Sequence, residues 1–95
     1  MLIGEAVRLR IIELCKQKDI TIKKLAIISG ITQSTLSNII NGRNKSTTIS
    51  TIKKLCDGMD ISIMDFFRSD LFEHLEQEIQ WFAYSMHKRQ KIIIV

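Results

Sequence analysis

The sequence contains no proline, so nothing in it locks the backbone or breaks a helical run in its interior. Alternating apolar and polar residues, the mark of a half-buried strand, are missing until the last few positions. Only two cysteines occur, Cys15 and Cys56, and neither belongs to a CxxC pair, which argues against a zinc site. Each falls at a core spacing, beside Ile11 and Leu14 or beside Ile52 and Leu55, as expected of free thiols acting as small buried hydrophobes. No apolar run approaches the ~18–20 residues of a membrane span, and the first residues show no signal-peptide pattern. A cytoplasmic chain without a membrane partner is expected. Catalytic constellations are missing as well: there is no Ser/His/Asp set, no phosphate-gripping glycine loop and no plausible carboxylate pair. His74 and His87 have no second histidine or cysteine at i+3 or i+4, so neither metal, cofactor nor enzymatic activity is expected.

What is present suits one folded domain. Ninety-five residues can build a single modest core, and 45% hydrophobic with 25% charged residues excludes a disordered chain. The net charge of +4 is unevenly spread. Residues 1–59 carry ten Lys or Arg against four acids (+6), residues 60–87 carry Arg68 against six acids (−5), and Lys88, Arg89 and Lys91 add +3. A basic body with an acidic segment behind it suits a polyanion-binding face kept apart from a surface with another task.

The first 67 residues parse as five short helices. The first runs from about Gly4 to Lys18, with Val7, Ile11, Leu14 and Cys15 on one side. Thr21 caps a second, carrying Leu25, Ala26 and Ile28 and stopping at Gly30. Thr32 caps a third, which ends at Asn41-Gly42, and residues 43–47 form a polar loop. A fourth starts near Thr48 and is expected to bury Ile49, Ile52, Leu55, Cys56 and Met59, with an irregular last turn at Gly58. Ser62 and Asp65 resemble a capping box opening a fifth helix with Ile63, Phe66 and Phe67.

Between the second and third helices, small Ala26 allows close approach, Gly30 supplies a tight turn, and Ile31, Leu36 and Ile39 lock one helix across the other. That is helix-turn-helix geometry. The residues Thr21-x-x-x-Leu25-Ala26, Gly30-Ile31-Thr32-Gln33-Ser34-x-Leu36-Ser37 and Asn41-Gly42-Arg43 carry a family resemblance, extended by Ile52-x-x-Leu55-Cys56-x-x-Met59-x-Ile61-Ser62-x-x-Asp65-x-Phe67. Over about residues 5–67 the chain resembles the phage repressor and Cro type of helix-turn-helix domain, the XRE type. The resemblance implies an all-α, five-helix DNA-binding domain that dimerises on a palindromic operator of double-stranded DNA and regulates transcription, as a repressor.

On a helical wheel centred on Leu36, Ser34, Ser37, Asn38 and Asn41 fall on the far side and Gln33 in the first turn. Short amides and hydroxyls can pair with base edges in the major groove, where long charged side chains would be penalised. The resemblance likewise implies base contacts from Thr32, Gln33, Ser34, Ser37 and Asn38. Phosphate contacts are expected from Thr21, Lys23, Asn41, Arg43 and Lys45, with Lys53 and Lys54 merely solvated. Two positions depart from the family. The first residue of the second helix, often Gln, is Ile22, and an Arg–Glu pair common in relatives is matched by apolar Cys15 and Ile40.

Residues 68–95 lie beyond the resemblance and form a second expected unit, a C-terminal helical extension. Ser69 is placed to cap a sixth helix in which Phe72, Leu75, Ile79, Phe82 and Met86 are spaced 3, 4, 3 and 4 apart, a coiled-coil seam. Leu71, Trp81 and Tyr84 widen it, so a homodimer interface is expected here, with packing back onto the domain as the alternative. The tail Lys91–Val95 is strand-prone and is expected to pair with a strand, the same tail of a second copy being one candidate, or to dock in a groove, with a frayed terminus as the alternative. A different reading of the whole chain makes it a protein-interaction module, antitoxin-like, that grips a protein partner with residues 68–95.

Overall fold

The structure, a computed structural model, describes residues 1–79. Its helices are α1 (Ile3–Lys18), α2 (Ile22–Ser29), α3 (Gln33–Ile40), α4 (Ile49–Met59) and α5 (Ile63–Phe67), followed by a single 3-10 turn, Asp70–Phe72. The fold is all-α, with no strand among the described residues.

Local chemistry sets the starts of four helices. Thr21, Thr32, Thr48 and Ser62 hold extended backbone and accept a hydrogen bond from the N–H three residues on, at 3.0, 3.0, 3.1 and 2.9 Å. At Ser62 the box is closed by Asp65, whose carboxylate accepts the Ser62 N–H. The hydrogen bonds with Ser62 and the Arg68 guanidinium hold the Asp65 carboxyl below the usual carboxylate range.

One connector recurs three times. Asp19-Ile20-Thr21, Gly30-Ile31-Thr32 and Asp60-Ile61-Ser62 each pair a left-handed residue with a half-buried isoleucine and the next N-cap. In each, the isoleucine N–H reaches back to a carbonyl of the preceding helix: Cys15 at 3.0 Å, Ala26 at 3.2 Å and Cys56 at 3.0 Å. A helix end, a core contact and a helix start are thus compressed into three residues.

The core gathers Val7, Ile11 and Leu14 of α1, Leu25 and Ala26 of α2, Leu36 and Ile39 of α3, Ile52, Leu55 and Met59 of α4, and Phe66 of α5. Cys15 and Cys56 are buried free thiols in it, and burial pushes both thiols up from their ordinary pKa. Ile28 and Ile49, expected inside, lie outside at 38% and 63% exposure, and Ser29 takes the inward position on α2. The last turn of α4 is regular through Met59, contrary to expectation. Gly58 is there for packing: a Cβ would stand 2.4 Å from Ser29 Oγ and 3.0 Å from the Ile28 carbonyl oxygen, so only glycine lets α4 lie this close to α2.

Among the described residues no sixth helix follows Ser69. Its side chain accepts the Leu71 N–H, but the chain makes one 3-10 turn and residues 75–78 have no regular structure. The Phe72 ring lies 6.3 Å from that of Phe66 and 4.8 Å from that of Phe67, so aromatic packing on its own domain takes the residue expected to open a dimer seam. Leu75 is half-buried and Ile79 exposed off any helix, so a helical seam does not run through positions 72–79. Instead the segment folds back along the start of α1, Glu76 N–H to the Met1 carbonyl (3.0 Å) and Ile3 N–H to the Glu78 carboxylate (3.2 Å). Phe82, Met86 and the strand-prone tail lie outside the described residues.

Candidate nucleic-acid interface

An isolated helix of eight residues rich in Ser, Thr and Asn would not persist in water, so α3 depends on what holds it. Leu36 and Ile39 are inserted in the core. The Thr32 hydroxyl accepts the Thr35 N–H at the start. At the end, Arg8 reaches over from α1 and donates its Nε–H to the Ile40 carbonyl at 2.7 Å, while its guanidinium also meets Glu5 at 3.0 Å. A cation on the last carbonyls of a helix complements their partial negative charge. The Thr32 hydroxyl also bonds to that of Thr35 at 2.8 Å.

The outer face of α3 then presents Gln33, Ser34 and Ser37 to solvent, with Asn38 half-buried at its edge. The starts of α2 and α3 share a surface: Ile22, Lys23, Gln33, Ser34 and Ser37 line an open recess of about 400 Å³. The structure therefore brings Lys23 beside the three polar residues of α3.

The loop after α3 is built from two asparagine turns. Asn41 Oδ1 accepts the Arg43 N–H at 3.0 Å, and Asn44 Oδ1 accepts the Ser46 N–H at 2.9 Å. The Asn44 N–H in turn donates to the Asn38 carbonyl at 2.8 Å. Gly4 lets the loop close against α1, since a Cβ there would lie 2.4 Å from the Lys45 carbonyl oxygen. Arg43 and Lys45 project from this braced loop as exposed cations, whereas Lys53 pairs with Asp57 within α4. Asn41 commits its oxygen to the turn, so its NH₂ remains as the donor it can offer outward.

A family model described as the Cro/C1-type HTH DNA-binding domain matches residues 10–70. The chain belongs to this family. Its helix-turn-helix is α2, the Gly30 turn and α3, and double-stranded DNA is the partner of such a domain. The chain is 33% identical over 62 residues to YopS, an SPbeta prophage-derived uncharacterized HTH-type transcriptional regulator of Bacillus subtilis (strain 168), across 65% of this chain and 84% of that protein. The crystal structure of the prophage Lp1 protein 11 is similar at a TM-score of 0.67 and 38% identity, covering 76% of this chain and 95% of that one.

Both departures from the Cro/C1-type pattern acquire a structural meaning. Cys15 is a core residue and Ile40 is half-buried, yet α1 still grips the end of α3 with an arginine. Arg8 does so through a main-chain oxygen, so residue 40 need not be acidic. Sequence reasoning missed Arg8 because a bond to a carbonyl leaves no trace in the identity of the acceptor residue. Ile22 stands at the first position of α2, half-buried against the core and bordering the recess with Gln33 and Ser34. Among the described residues no helix is long and apolar enough to cross a membrane.

Proposed function

We propose that this protein is a sequence-specific regulator of transcription that binds a palindromic operator as a homodimer and represses from it, with α3 in the major groove. The observation that carries this reading is the outer face of α3: uncharged hydrogen-bonding groups, on a helix pinned at both ends, with cations only at its flanks. Gln33, Ser34, Ser37 and Asn38 read base edges, Gln33 and Asn38 through amides that match adenine N6 and N7. Thr32 acts at the start of α3, where its capping fixes the helix and first-turn N–H groups face the DNA. Thr21, Lys23, Asn41, Arg43 and Lys45 hold phosphates. The two prophage-related neighbours agree with a regulator of a mobile element.

Selection of bound sites from random duplex DNA, with a size measurement on the free protein, tests all parts together. A palindrome with half-sites ~34 Å apart, binding that weakens steeply with salt, and a dimer are expected. Gln33→Ala or Asn38→Ala weakens binding by about 1–3 kcal/mol and relaxes preference at one position. Variants that bind every duplex as the parent does would refute the assignment of α3.

Dimerisation is assigned to residues 68–95, Leu75 and Ile79 with Phe82 and Met86, now without Phe72. The exposed side chains of Met1, Leu2, Ile3 and Ile79 favour an apolar contact in that region. The same exposure favours the second reading, in which a protein partner docks there. Ending the chain after Glu73, which keeps Phe72 on the core and removes Leu75, Ile79, Phe82 and Met86, yields a monomer with weakened DNA binding under the first reading. Under the second, in which the helix-turn-helix is a retained scaffold, it abolishes partner capture and there is little DNA affinity to lose.

A further inference from the structure

We propose that Ile22 reads the C5-methyl group of a thymine beside the bases met by Gln33 and Ser34; this rests on α3 being the reading helix. Of the five side chains that line the recess between the starts of α2 and α3, Ile22 alone is apolar. One side of it packs on the core, and the rest borders the recess. Its backbone is held at the first position of α2 by the Thr21 cap, and its β-branched side chain is stiff. A fixed apolar surface thus stands level with an amide and two hydroxyls.

The major-groove edges of the four bases offer one apolar group, the thymine methyl. The other object within reach of a major-groove reader is a phosphate. An isoleucine against a phosphate would strip water from its oxygens and return no donor, and Lys23 next door already supplies one. Gln or Ser at position 22 would accept several bases through hydrogen bonds. Isoleucine narrows the choice to thymine through burial of one methyl, an effect of about three- to fivefold per half-site.

Deoxyuridine removes that methyl and nothing else from the DNA. The preferred duplex selected from random DNA by the full chain is resynthesised with single deoxyuridines at each thymine in turn, and Kd is measured for the parent, Ile22→Ala and Ile22→Val. One thymine per half-site is expected at which uracil weakens the parent about three- to fivefold, while Ile22→Ala is indifferent to it. The proposal is overturned if no thymine shows this loss, or if Ile22→Ala loses as much as the parent. Should Ile22→Ala fail to fold, Ile22→Val carries the test, and sensitivity equal to the parent's overturns the proposal. Gln33→Ala and Asn38→Ala on the same duplexes separate two failures. If they weaken binding while no uracil does, only the role of Ile22 falls; if selection recovers no preferred duplex, the reading face falls with it.

Discussion

Replacing Arg10 with Met is expected to destabilise the domain by about 2–4 kcal/mol. Arg10 is 7% exposed, a rare state for an arginine, and its guanidinium is consumed by three partners. Nε donates to the Phe66 carbonyl at 2.6 Å, one terminal nitrogen to the Asp65 carbonyl at 2.7 Å, and the other to Glu13. The two carbonyls close α5, so one side chain of α1 ties down the end of a helix some 55 positions away. Methionine keeps the stem and deletes only the polar fork.

Two effects compete in that exchange. Replacing a buried ion pair by apolar residues is often neutral or stabilising, because a desolvation cost disappears with the charges. Here the principal acceptors are main-chain oxygens that stay when the arginine goes. The Asp65 carbonyl retains the Arg68 N–H at 3.3 Å, but no second hydrogen bond reaches the Phe66 carbonyl among the described residues. Leaving one buried acceptor orphaned costs about 1–3 kcal/mol, and losing the charged bond to the other adds about 1. Glu13 is partly exposed, so its share is small. The assay is urea unfolding followed by circular dichroism on the parent, Arg10→Met, Arg10→Lys and Glu13→Gln. Lysine keeps the charge without the planar fork and falls between parent and methionine, whereas Glu13→Gln stays within about 1 kcal/mol of the parent. Arg10→Met at or above parental stability would refute the reasoning.

Gly58→Ala runs against the usual helix preference: the ~1 kcal/mol gained from propensity is outweighed by contacts at 2.4 Å to Ser29 Oγ and 3.0 Å to backbone, for a net loss of about 1–2 kcal/mol in urea unfolding. A more stable Gly58→Ala would show that α4 can move away from α2 at no cost. Asp60→Gly relieves a left-handed aspartate at φ 56° and is expected to raise stability by up to about 1 kcal/mol by the same assay, since glycine already serves in the equivalent connector at Gly30. Asp65 is held below its ordinary pKa, so its contribution is complete above the unfolded carboxylate range and is lost as pH falls through the lowered folded value. The stability gap between parent and Asp65→Asn is therefore constant from neutral pH down to about 5 and closes in more acidic solution; a gap independent of pH would contradict the assigned cause.

The caps were legible because a cap is a local event. Thr21, Thr32, Thr48 and the Ser62–Asp65 pair each act within three residues, so residue type and spacing carry the information. The repeated Asp/Gly-Ile-Thr/Ser connector was equally legible, and comparing the three helix junctions would have shown it. Arg10 left a signal too, since it stands three residues after Val7 and four before Leu14 on the face that enters the core. Gly58 could not be read alone, because its value depends on which helix crosses it. Spacings of 3 and 4 in residues 72–79 are necessary for a seam but say nothing about rivals, and the Phe66–Phe67 pair is the rival that takes Phe72.

The weak composition of α3 follows from the same division of labour. Gln33, Ser34, Thr35, Ser37 and Asn38 give up about 0.5 kcal/mol each against alanine, roughly 2–3 kcal/mol in all. Burying Leu36 and Ile39 returns about 1.5–3 kcal/mol each, and the Thr32 cap adds about 1. Tertiary packing and the two end clamps, Thr32 and Arg8, therefore exceed the deficit without help from the outer face. Residues on that face are released from folding duty, so under the proposed reading exchanging them is expected to alter which duplex is bound before it alters whether the domain folds. Ile22 is the exception, because its packing and its place beside Gln33 belong to one side chain, and under the proposed reading substitutions there are expected to register in both stability and binding.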